Sequence, residues 1–116
     1  MRDFLVSLLE SLGYPVFLQG TLNSAADYPE SCFAYWVSQT DDESFYSGKP
    51  MFSDWSFWVY FYSTDAALVE TESTAARQLL GENGFIVQGK PIDADSGTHT
   101  HTGMMLTALY MERYDT

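Results

Sequence analysis

Apolar residues begin the chain at helical spacing and then shift to alternation. Phe4, Leu5, Leu8, Leu9 and Leu12 recur at intervals of one, three and four, which gathers them into one stripe of a helix over residues 2–12. Asp3 complements the positive end of that helix, Gly13 suits a left-handed cap, and Pro15 blocks continuation. Val16, Phe17 and Leu18 are β-prone, and the polar stretch 19–30, with Gly20, Asn23 and Pro29, reads as a loop. Over residues 32–39, Phe33, Tyr35 and Val37 alternate with Ala34, Trp36 and Ser38, the pattern of a second strand.

The pattern then breaks. Asp41, Asp42 and Glu43 form an acidic run and residues 47–50 are turn chemistry, with Phe45, Tyr46, Met51 and Phe52 among them, so residues 40–54 are expected to be a long exposed loop. A hairpin whose aromatics fold back onto the core is the alternative. Residues 55–63 are the densest apolar element, with Trp55, Phe57, Val59 and Phe61 on one face and Trp58, Tyr60 and Tyr62 on the other. That distribution predicts a central strand covered on both sides, its aromatics assigned to the core. Thr64 and Asp65 are N-cap residues for a helix over 65–82 that ends near Gly81 or Gly84. A short strand at Phe85, Ile86 and Val87 is interrupted by Gly89 and Pro91, resuming at Ile92; residues 93–103 read as a polar turn, and 104–114 as a final strand. The order is α-β-β-β-α-β-β. It predicts a two-layer α+β fold, a mostly antiparallel mixed sheet of about five strands with both helices on one face.

At 116 residues, 46% of them hydrophobic, the chain has material for one core, so a single domain spanning residues 1–116 is expected. Sixteen acidic residues against five Lys and Arg leave a net charge of -11, which argues against binding to nucleic-acid phosphates or anionic lipid. One cysteine, Cys32, and a start lacking a basic-then-apolar leader lead to the expectation of a reducing, intracellular place of folding. The longest mostly apolar run, residues 57–62, is far short of the roughly 20 residues of a spanning helix.

Candidate chemistry is sparse. Asp93, Asp95, His99 and His101 have the donor atoms of a zinc or iron site, but the surrounding Gly, Ser and Thr point to a solvated turn in which the imidazole directions are unconstrained. Cys32 lacks a local base and reads as a small buried thiol. Residues 81–84 carry two glycines spaced as a helix terminus, without a phosphate-loop pattern. No catalytic residue and no cofactor are expected.

Several segments in this order carry a resemblance. They are Leu12-Gly13-Tyr14-Pro15-Val16 closing the first helix, Cys32-Phe33-Ala34-Tyr35-Trp36 before the acidic run, and Trp58-Val59-Tyr60-Phe61-Tyr62-Ser63-Thr64-Asp65 leading into the second helix. Leu79-Leu80-Gly81-Glu82-Asn83-Gly84-Phe85 then returns to the sheet, and Asp93-Ala94-Asp95 enters the turn before the last strand. Across nearly the whole chain this succession resembles the tail terminator and tail-completion proteins of long-tailed bacteriophages. The resemblance implies a non-enzymatic subunit of the virion tail, assembled in the host cytoplasm, commonly as a hexameric ring. Such a ring caps the finished tail tube, so the implied partners are further copies of the chain, the major tail tube protein and the head–tail connector protein, with no membrane.

Two expectations follow if copies form a ring. Asp41, Asp42 and Glu43 would line the channel or its rim and repel passing DNA. Phe45, Tyr46, Met51 and Phe52 would be buried between subunits or against a partner. The competing expectation is a small intracellular metal-binding or adaptor domain that uses the Asp93/Asp95/His99/His101 turn or an exposed sheet edge.

Overall fold

The stripe of leucines forms a helix as expected. The computed structural model describes residues 2–19, 29–46, 49–96 and 100–113, with side chains outside 41–46, 49–52 and 113. The elements are α1 (Arg2–Glu10), β1 (Val16–Leu18), β2 (Ser31–Tyr46), β3 (Lys49–Ser63), α2 (Ala66–Glu82), β4 (Ile86–Ala94) and β5 (Thr102–Arg113). The fold is α+β, with a five-stranded mixed sheet in the order β1-β2-β3-β5-β4. Only β1 and β2 run parallel; the other pairs are antiparallel.

Both helices end as their local residues dictate. After α1 the chain turns through Gly13 at φ +96°, where the backbone N–H donates to Glu10 O at 2.9 Å. Asp65 caps α2, its Oδ1 accepting from Ala67 N–H at 3.0 Å, and Ser63 Oγ in turn accepts from the Asp65 N–H. At the far end Asn83 Nδ2 donates to Leu79 O, and Gly84 at φ +94° turns the chain so that Phe85 N–H reaches Leu80 O.

The helices pack on one face of the sheet. Leu5 and Leu9 of α1 join Val69, Ala76 and Leu80 of α2 against Phe33, Phe57, Val59, Phe61, Leu106 and Ala108 from β2, β3 and β5. Aromatic edges lock this layer: Phe33 and Phe61 meet at 4.7 Å between centroids, and Tyr14 sits edge-on to Phe61 at 5.1 Å. Phe33 and Phe61, fully buried, each stabilise the fold by about 1.5–3 kcal/mol.

Residues 40–54 correct the sequence reading. Residues 40–46 and 49–54 form the hairpin given as the alternative, not the long loop: β2 and β3 stay paired from Ser31↔Ser63 to Tyr46↔Lys49, with one irregularity between Val37 and Gln39. The long hairpin wins because β3 is held on its other side by β5 as far as Phe52↔Arg113, so backbone pairing outweighs the weak strand propensity of Asp41, Asp42 and Glu43. Past Phe52, among the described residues, β2 and β3 remain paired with each other alone. The break in β4 falls where Gly89 and Pro91 place it, as a register shift between Gln88 and Ile92 with Gly89 at φ +66°.

Candidate assembly surface

Strand alternation puts a second set of side chains on the sheet face opposite the helices. Its rungs follow from the register: Cys32, Tyr62 and Gly103 at one end; then Ala34, Tyr60, Met105 and Ile92; then Trp36, Trp58, Thr107 and Gln88; then Ser56, Leu109 and Ile86. The first end is closed. Cys32, Ala34 and Tyr62 are buried with Phe17 and Tyr60 beside them, and Gln19 Nε2 donates to the Tyr62 hydroxyl at 2.9 Å. The rest of the face is bare, starting on the β4 side of the second rung: Ile92 is 58% exposed, Trp36 45%, Trp58 39%, Ile86 68% and Met111 49%.

This corrects the expectation that β3 is covered on both sides. β3 does sit centrally, between β2 and β5, but two helices supply one covering layer and Trp58 is left outside it. Beside the Trp36–Trp58 ridge lies a hollow of about 500 Å³ lined by Gln39, Asp54, Ser56, Ile86, Leu109 and Met111 among others. Between those Trp residues and Leu109 the bare face carries no charged residue. Asp54 stands at its margin.

The residues singled out in the sequence fall elsewhere. Phe45, Tyr46, Met51 and Phe52 lie on the hairpin arm, with Phe45 opposite Pro50, Tyr46 opposite Lys49 and Phe52 opposite Glu43, while their side chains are outside the described residues. Asp41 is opposite Asp54 and Asp42 opposite Ser53, so the acidic run belongs to a paired strand.

His101 departs from the solvated placement expected of it. His101 is buried, its Nε2 donates to the Pro29 carbonyl at 2.8 Å, and Nδ1 lies 2.8 Å from the Thr100 hydroxyl. Ser96 Oγ, also buried, donates to His101 O. Both ring nitrogens are thus engaged by the protein, and Asp93 and Asp95 are exposed. Among the described residues no group of three or more His, Cys, Asp or Glu is placed to hold a metal ion; His99 lies outside them. Cys32 is buried, and that burial pushes its thiol up to about 11, which keeps it protonated and unreactive at neutral pH. Burial also raises Tyr14, with the charge and hydrogen bond of Glu72 adding to the effect, and raises Tyr60.

The surface that sequence reading missed is therefore Trp36, Trp58, Ile86, Ile92 and Met111. A signal was present: strands β2 and β3 are aromatic on both faces, while the chain offers only two helical segments to cover them. Among the described residues no helix is long and apolar enough to cross a membrane. No family model matches the chain. No curated protein matches it either.

Proposed function

We propose that this protein is a non-enzymatic structural subunit that works by packing against other protein surfaces, as a tail terminator or tail-completion component of a long-tailed phage. The observation that carries the packing reading is the bare apolar face of the sheet. Patches of this size on a soluble chain mark contact surfaces, since leaving two Trp, two Ile and a Met in water forgoes their transfer energy. The tail assignment is supported by the sequence resemblance, whose element order α-β-β-β-α-β-β is that of the fold.

In this reading the chain caps the tail tube as a ring and meets the head–tail connector protein on its other side. Acidic residues of the hairpin arm, Asp41, Asp42 and Glu43, repel the DNA that passes the ring, and the arm's Phe45, Tyr46, Met51 and Phe52 contact neighbouring subunits or the tube. Gold-labelled antibody against the chain, applied to intact tailed particles, tests the station. Label at the junction of head and tail is expected. Particles that contain no such chain, or label confined to the distal tip, overturn the assignment.

A further inference from the structure

We propose that the bare sheet face is closed by the same face of a second copy of this chain, related by a two-fold axis near the Trp36–Trp58 rung. The proposal rests on the packing reading above and goes beyond it: a two-fold pair is not a contact of a ring that meets the tube on one side and the connector on the other, so it describes the chain before it enters such a ring.

Three features select a second copy as the occupant. The first is area. The bare region is four strands wide from the Trp36–Trp58 rung to the Ser56–Leu109–Ile86 rung and three strands wide at Asp54, and it runs five residues along β3, from Trp58 to Asp54, which at about 4.8 Å per strand and 3.3 Å per residue is roughly 20 by 17 Å. With large side chains standing on it, such a face offers on the order of 500 Å² of accessible surface, about the least that one partner contributes to a specific interface.

The second is shape. A two-fold pair needs a surface complementary to itself, and here a ridge, Trp36 with Trp58, lies directly beside a hollow bordered by Ser56, Leu109 and Ile86. Rotation about an axis along their boundary carries the ridge of each copy into the hollow of the other. Two sheets stacked this way sit about 10 Å apart, the spacing of a β-sandwich, and give four layers with helices outermost.

The third is charge. The chain carries -11, yet the centre of this face is uncharged. A partner recognised by opposite charge finds on it, among the described residues, Asp54 alone, at the margin, whereas an identical face brings no like charges into contact at the centre. Repulsion between the two acidic chains acts from outside the interface, through solvent, and salt screens it.

Sedimentation equilibrium of the full chain between 1 and 100 µM, in 0.05 and 0.5 M NaCl, tests the pairing. A monomer–dimer equilibrium at least tenfold tighter in 0.5 M salt is expected. Trp58→Lys should weaken it by 30-fold or more with an unchanged circular dichroism spectrum, and Ile86→Lys, at the edge of the hollow, should weaken it independently if Trp58→Lys does not fold. A chain that stays monomeric at 100 µM in high salt overturns the pairing and leaves the face to an unlike partner. Self-association indifferent to both substitutions also overturns it, by placing the contact elsewhere. These outcomes are read in solution without tail tubes, so they fail separately from the tail assignment, which particle labelling decides.

Discussion

Gly103 on β5 lies directly opposite Tyr62 on β3, so close that a Cβ added to the glycine would stand 2.6 Å from Cε1 of the ring and 3.2 Å from Ala94 O. The ring cannot retreat. Tyr62 is buried and its hydroxyl is held by Gln19, so the aromatic takes the space that a side chain at 103 would occupy. Gly103→Ala should therefore cost about 1–3 kcal/mol through overpacking, measured as a lower urea midpoint with unchanged slope. A loss below about 0.5 kcal/mol would mean that the two strands separate easily at this rung.

Ser73 offers the opposite expectation. Its side chain faces the core from the middle of α2, and its Oγ is buried with no hydrogen-bond partner among the described residues. Ser73→Ala removes an unsatisfied polar atom and improves helix propensity, so the fold should gain about 1 kcal/mol. Thermal unfolding checks this, and a loss of stability would show that the hydroxyl is satisfied in solution.

Cys32 sets an expected reactivity. With its thiol at about 11, the thiolate at pH 8 is about 100-fold scarcer than for an ordinary exposed cysteine, and burial blocks access as well. Alkylation by iodoacetamide should be slow in the native chain and fast in urea. The same raised value has a consequence for stability. The folded state holds the proton that the unfolded state releases near pH 9, so this contribution is complete below pH 9 and is lost as pH rises through 11. Tyr14 and Tyr60, also raised, act in the same direction. Stability should thus fall on the alkaline side, and a flat profile from pH 8 to 11 would contradict the burial of these groups.

The acidic run places like charges opposite one another, Asp41 against Asp54, an arrangement that weakens a strand pair. Asp41→Thr should raise stability by roughly 0.2–1 kcal/mol. If the proposed tail role holds, reversing Asp41, Asp42 and Glu43 to Lys should leave the fold intact and slow genome delivery by assembled particles. Unchanged infectivity would remove the channel role.

How much of this was legible in the sequence depends on distance along the chain. Helix limits were readable because their determinants are local: Gly13, Asp65 and Gly84 sit within a turn of the ends they define. The interruption of β4 at Gly89 and Pro91 was readable for the same reason. Strand pairing across residues 40–54 was not, because it depends on β5, more than fifty residues downstream of the acidic run. His101 was misplaced as solvated because the carbonyl that it bonds belongs to Pro29, 72 residues away. Alternation correctly sorted Phe57 from Trp58, but period two says only that they lie on opposite faces. Which face is covered depends on where the helices dock.

The most direct test of the proposal that this chain caps a phage tail tube is to mix it with polymerised tubes of the major tail protein that the proposal pairs it with and image the tube ends by electron cryomicroscopy. A ring of density bound to one end of each tube, absent without the chain, is the expected result. Bare ends at saturating concentration, with the chain left in the supernatant, would contradict the account.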